Sequence, residues 1–322
     1  MYFKKGYALF TAILKFFNVE FFHFFIVTKL IIFFVFKKII FDRADNKYLT
    51  LGLFYSFMAM YLFIDCPFRN LIAIGIILYI QNYLIKKEIF KYFLGILLAT
   101  SFHNSAFIFI IMIFIPKKLK KSCYCIFIIS IFLFLSNKYM LMSVLEKLPL
   151  FEERIVHYFN SRYDVTKILS IGCLEKIIVV SLLIFSTKTK DWEKKKLFQI
   201  IVYFLLYRIG LTFKFLARYS FYFQIFYLIE LSNLITYNRN LKKYIIITLL
   251  FLYELIQINR VLYKNYEYIP YTSYFKYIFK EKPSFSYRYK YNVLKYIERN
   301  GNDEEMEKRL KRLNNYEINE EN

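Results

Sequence analysis

Arginines and one imidazole stand in stretches that are otherwise apolar. Arg69 follows Asp65-Cys66-Pro67-Phe68, so the proline ends one element and Arg69 projects from the first turn of the next. Its guanidinium could grip a phosphate at two points. An arginine that merely extends its head to the interface would have the same sequence. His103 lies in Thr100-Ser101-Phe102-His103-Asn104-Ser105, a polar interruption of an apolar run. A neutral imidazole there could take a proton from a substrate hydroxyl; a packing histidine satisfied by Asn104 or Ser105 is the plainer alternative. Arg218 and Tyr222 share a helix face one turn apart, a cation beside an aromatic ring. Arg208 sits deeper in its apolar block and needs a partner or a watery cavity. For Glu175, Glu230 and Glu254, structural ion pairing is the expected role.

Those residues need elements to hold them. Hydrophobic residues make up 58% of the 322, and they come in solid blocks at 19–41, 48–64, 68–85, 89–115, 122–144, 168–186, 197–213, 215–236 and 244–263. A bilayer core takes about 20 residues of helix, and backbone groups within it must bond internally. The blocks therefore predict an all-α polytopic membrane protein of about nine to ten transmembrane helices, with a transmembrane domain at 1–264 and a charged tail at 265–322. The tail is read as a peripheral or partly disordered appendix, helix-permissive in its last stretch. No small-residue cleavage site follows the first apolar stretch, so the apolar segments themselves would direct insertion.

The net charge of +22 does not point to nucleic acid, because the lysines and arginines gather in short connections between apolar blocks. That pattern sets membrane orientation. The connections 86–91, 117–121, 188–196 and 239–243 are predicted cytoplasmic, and the mixed-sign loop 145–167 external. Block 89–115 breaks the alternation, since basic connections flank it on both sides. Two half-helices entering from the cytoplasm and meeting near His103 resolve this. Each arm of about 13 residues reaches about 20 Å, past the middle of a core about 30 Å thick. One long tilted helix is the alternative. With the hairpin, Arg69, Arg208, Arg218, Lys214 and Arg260 all fall toward the outer face.

Four cysteines, Cys66, Cys123, Cys125 and Cys173, form no framework and read as buried thiols, with no metal site expected. With seven glycines in the chain, phosphate-cradling loops are not expected, and no cofactor is implied.

The order of these features resembles the EpsG-type family of Wzy-like polysaccharide polymerases. Phe68-Arg69-Asn70-Leu71-Ile72-Ala73, the turn 83–87, and Leu98-Ala99-Thr100-Ser101-Phe102-His103-Asn104-Ser105-Ala106 are similar to its arginine-led helix, basic turn, and helix ending in Phe-His-x-Ser-Ala. Arg218-Tyr219-Ser220-Phe221-Tyr222-Phe223 resembles its Arg-aliphatic-Ser-aromatic-Tyr-Phe segment, and Ile269-Pro270-Tyr271 its Pro-Tyr ending. Asn70 stands where the family usually has glutamine. Lys5-Gly6-Tyr7 resembles a stretch that in the family follows a first transmembrane helix and an acidic loop.

The resemblance implies a glycosyltransferase of the bacterial inner membrane, with its active site facing outward. It would join undecaprenyl-pyrophosphate-linked oligosaccharide repeats without a metal. His103, Arg69 and Arg218 would be catalytic, and Arg69, Arg208, Arg218, Tyr222 and Asn104 would bind the pyrophosphate or sugar. Implied partners are membrane lipid, a chain-length regulator and a flippase, with no nucleic acid. Two rivals share the architecture. A membrane O-acyltransferase of surface glycans would leave long unacetylated chains when deleted. A flippase of lipid-linked sugars would leave repeat units on the inner face, and internal repeats typical of transporters are not found in the sequence.

Overall fold

The computed structural model describes residues 5–19, 21–59, 61–114, 121–136, 171–186, 191–212, 217–237 and 285–301, with isolated positions at 248, 251–252, 255–256, 259, 306–307 and 310. Outside them lie the loop 145–167, Lys117, Lys214, the connection 239–243, Glu254, Arg260 and Ile269-Pro270-Tyr271. Contacts divide the chain into two units, Met1–Lys243 and Tyr244–Asn322.

The first unit is all helix among its described residues. Its α-helices are α1 (Lys5–Phe16), α2 (Phe21–Arg43), α3 (Lys47–Phe54), α4 (Phe68–Ile85), α5 (Ile89–Phe102) and α6 (Lys121–Ser136), followed by α7 (Ile171–Ser186), α8 (Asp191–Thr212) and α9 (Ala217–Tyr237). Asn46 caps α3, its side chain accepting from Leu49 N at 3.0 Å. Past Phe54 the block widens into two π-helical stretches, Tyr55–Ala59 and Tyr61–Asp65, rather than continuing as one α-helix. Side chains from other helices meet these turns: Gln224 donates to Phe57 O at 3.0 Å, and Lys29 donates to Phe63 O. Pro67 then stands at the start of α4, as the sequence predicts.

The block around His103 breaks. Helix α5 ends at Phe102, His103 is extended (φ −149°, ψ 123°), and Asn104–Ile113 is a 3₁₀ helix. Tyr92, near the start of α5, donates to Phe109 O at 3.4 Å. A continuous helix would hold those residues about 25 Å apart, so the chain folds back on itself here. The second arm is 3₁₀ rather than α, and that evens the lengths. Fourteen residues of α-helix rise about 21 Å, and ten of 3₁₀-helix about 20 Å.

The interior is mainly apolar, and much of the exterior is apolar as well. Exposed apolar side chains run along helix faces: Ile26, Val27, Leu30, Ile31 and Phe34 on α2, and Phe90, Leu94, Leu97 and Leu98 on α5. Leu174, Ile178 and Leu182 repeat the pattern on α7. Buried positions include Thr50, Asn70, Gln81, Ser105, Lys176, Gln199, Arg208, Ser220 and Ser232. Contiguous apolar faces of this extent mark surfaces that meet something other than water, here lipid. By length and composition, α4 is the one described helix able to cross a membrane; the apolar helices Gly6–Phe16, Ile89–Phe102, Asn104–Ile113 and Leu197–Leu211 are shorter. Helix α2 has 23 residues but carries Lys29, Lys37, Lys38, Asp42 and Arg43.

A polar rung ties the elements together inside. Gln199 of α8 donates to Gln81 Oε1 of α4 at 3.3 Å, and Gln81 Nε2 reaches Tyr92 Oη of α5 at 3.5 Å. Gly95 of α5 lets α4 come close, since a Cβ there would sit 2.6 Å from Ile80 Cγ2. The far end of α9 meets the turn before α3, with Asn233 Oδ1 accepting from Asp45 N at 2.9 Å.

In the second unit, Phe285–Asn300 is a helix. Val293 is fully buried and packs with Met306, Tyr296, Ile297 and Leu310, which supplies the apolar stripe that fixes it. Gly301, at φ 83°, ends it.

Candidate functional site

Three elements end or begin at one place. Asn70 is in the first turn of α4, Ser105 in the first turn of the 3₁₀ arm, and Tyr222 in the second turn of α9. All three side chains are buried. Tyr222 donates to Asn70 Oδ1 at 2.7 Å, and Ser105 donates to Tyr222 Oη at 3.0 Å. His103 Nδ1 lies 2.5 Å from Ser105 Oγ. Asn70 Nδ2 donates to Cys66 Sγ at 3.4 Å. Such a network costs free energy unless every member is satisfied, and here the members satisfy one another. Phe109 holds the arm to α9, stacking on Phe223 with ring centroids 4.3 Å apart and planes 9° apart.

The arginines border this network unequally. Arg69 is adjacent to Asn70 and half-buried, with its guanidinium 5.7 Å from the Tyr7 ring. Helix α1 brings Tyr7 there because Gly6 passes close to Ser101 and because Phe10 packs edge-on to Phe24 and Phe102. Arg218 is exposed, one helical turn before Tyr222. Asn104 opens the 3₁₀ arm with its side chain exposed. Arg208 is buried on α8, 5.9 Å from the Phe132 ring of α6 and within electrostatic reach of Cys173 of α7, two residues before Gly210, where a Cβ would meet Ala217 at the start of α9.

Near Arg208 is a second polar group. Lys176 pairs with Glu175 at 2.8 Å, Tyr227 donates to Glu175, and the Lys176 ammonium lies 4.3 Å from the Tyr207 ring. Glu175 therefore has the ion-pairing role expected of it.

Sequence reasoning passed over Lys29. Its ammonium lies 3.8 Å from the Phe25 ring and donates to Phe63 O, three residues before Cys66. A single lysine eight residues into an apolar helix was the available signal. Asn70 and Cys66 were noticed only as a departure and a thiol, and Tyr7 only as part of a resemblance. Among the described residues there is no group of three or more histidine, cysteine or acidic side chains able to hold a metal ion.

The ends can be assigned by direction. Helix α4 runs about 24 Å from Asn70 to the basic turn at Lys86 and Lys87, and α9 about 15 Å from Tyr222 to Ser232 beside Asn46. The starts of α4 and α9, with Arg69 and Arg218, thus share the end opposite the basic turn at Lys86 and Lys87.

No curated protein matches the chain, and no solved structure matches it. The family model described as the EpsG family matches residues 2–273. That span holds the arginine-led start of α4, the histidine break and the start of α9 together, and the chain belongs to the EpsG family, membrane proteins of polysaccharide synthesis.

Proposed function

We propose that the chain polymerises lipid-linked oligosaccharide repeats, with the His103 break as its catalytic centre. The observation that carries this reading is the network Asn70–Tyr222–Ser105–His103, which brings the start of Arg69's helix and the start of Arg218's helix to the imidazole. The acceptor hydroxyl oxygen attacks the anomeric carbon of the growing chain, and the bond from that carbon to the pyrophosphate oxygen breaks. The hydroxyl proton passes to His103. The departing pyrophosphate gains negative charge, which Arg69 and Arg218 offset without waiting for water to reorganise. Tyr7 shares the Arg69 face and would yield to the phosphate. Arg208, packed against α6, is assigned no step.

Orientation follows from charge. The basic turn at 86–91 faces the cytoplasm, so the His103 end faces outward, where a lipid-borne oligosaccharide would meet it. The two arms of the break form a re-entrant hairpin, and backbone of that kind is tolerated at depth only inside protein or beside a wet cavity.

Complementation of a polymerase-null strain tests the assignment. Arg69→Ala, His103→Ala and Arg218→Ala are each expected to leave single repeat units in place of long chains. Wild-type polymer from all three, at normal protein levels, would remove the site. Long chains lacking only acyl groups in the deletion strain would favour an acyltransferase instead.

A further inference from the structure

The hydrogen bonds around His103 admit one direction of donation. Cys66 Sγ donates to Pro67 O at 3.8 Å, so its sulfur is left to accept from Asn70 Nδ2 at 3.4 Å. That fixes the amide, with Oδ1 turned toward Tyr222. A carbonyl oxygen cannot donate, so the Tyr222 hydroxyl must donate to it at 2.7 Å. With its one proton committed, Tyr222 can only accept from Ser105, at 3.0 Å. Ser105 has then spent its own proton. The contact with His103 Nδ1 holds a hydrogen bond only if the ring donates. Reversing one member alone would set two lone pairs or two protons face to face in a buried setting, and running the whole relay backwards would strip Pro67 O of the Cys66 thiol.

We infer that Cys66, Asn70, Tyr222 and Ser105 are positioning residues that hold neutral His103 in the Nδ1–H tautomer, so that Nε2 carries the lone pair and is the basic nitrogen of the site. This rests on the reading of His103 as proton acceptor for its use, but not for its existence. Nδ1–H is the minor tautomer of a histidine in water, so the protein must impose it. The nitrogen left basic is the one farther from the backbone.

The test is solid-state ¹⁵N spectroscopy of full-length protein in lipid vesicles, with ring-labelled histidine and His23→Gln and His157→Gln to leave His103 as the sole signal. At a pH where the ring is neutral, the expected spectrum has a protonated Nδ1 and an unprotonated Nε2. A dominant Nε2–H form overturns the inference. Tyr222→Phe takes away the nearer acceptor of the Ser105 proton and leaves only Asn70 Oδ1 at 3.5 Å to compete with the ring, and Ser105→Ala removes the acceptor of the ring proton. Each is expected to raise the Nε2–H share severalfold. Spectra unchanged from wild type in both would show that the chain does not set the tautomer. The spectrum is independent of polymer formation. An inactive His103→Ala with the wrong tautomer sinks this inference alone; the right tautomer with an active His103→Ala sinks the catalytic reading alone.

Discussion

A Cβ on Gly6 would fall 2.1 Å from Ser101 Oγ and 2.8 Å from Ser101 Cβ, closer than rotation of the serine alone can relieve. Gly6→Ala is therefore expected to lift α1 from α5 and carry Tyr7 away from Arg69. Thiol labelling of Phe10→Cys in an otherwise cysteine-free chain would rise severalfold in Gly6→Ala and fall back when Ser101→Gly is added. Equal labelling in all three would disprove the packing. Single residues were legible in proportion to how odd they looked in their own segment. His103 announced itself by interrupting an apolar run. Asn70 did not, because a polar residue at a helix start is ordinary, and its partners Ser105 and Tyr222 lie 35 and 152 residues away. Lys29 was as anomalous as His103 and was missed because the apolar block around it was read as a whole.

At the scale of elements, the fold-back at His103 depends on contacts between its arms and on their contact with α9. Tyr92→Phe removes the hydroxyl that joins Gln81 to Phe109 O. Hydrogen bonds between helices in membranes are worth about 0.6–2 kcal/mol, so the variant should unfold slightly earlier on heating in detergent and remain active. Phe109→Ala removes a fully buried ring stacked on Phe223. A cost of about 3–5 kcal/mol is expected, several times the Tyr92→Phe effect. The reverse order in thermal melts would mean that the rung, not the ring stack, holds the arm. The break was readable from charge counting, because basic connections on both sides argue against a single crossing. The 3₁₀ geometry of the second arm was not. Apolar residues at nearly every position of Asn104–Ile113 leave no period by which to tell a helix of 3.0 residues per turn from one of 3.6.

For the molecule as a whole, the prediction concerns sides. In a cysteine-free chain, Asn104→Cys is expected to react with a membrane-impermeant thiol reagent applied outside intact cells, and Lys87→Cys only after permeabilisation. Reaction of both from outside would contradict the orientation and detach the site from its outward-facing substrate. The apolar blocks gave the helices of the first unit correctly as a class, since hydrocarbon leaves the backbone no other partner. They did not distinguish a block that crosses from one that bends within. Composition averages over the 48–64 block, while its geometry is decided by side chains arriving from α2 and α9.

Those arrivals have a consequence for how the chain tolerates change. In the widened turns, Phe57 and Phe63 offer their carbonyls to Gln224 and Lys29, two helices that are remote in sequence. Removing a surplus residue there would restore ordinary winding and return those carbonyls to the i→i−4 ladder. Both visiting side chains would then face oxygens already claimed by their own helix. The extra length works as a shim: it opens backbone oxygens to side chains of two neighbouring helices. Length variation should thus be harder to accommodate at 55–65 than any substitution there.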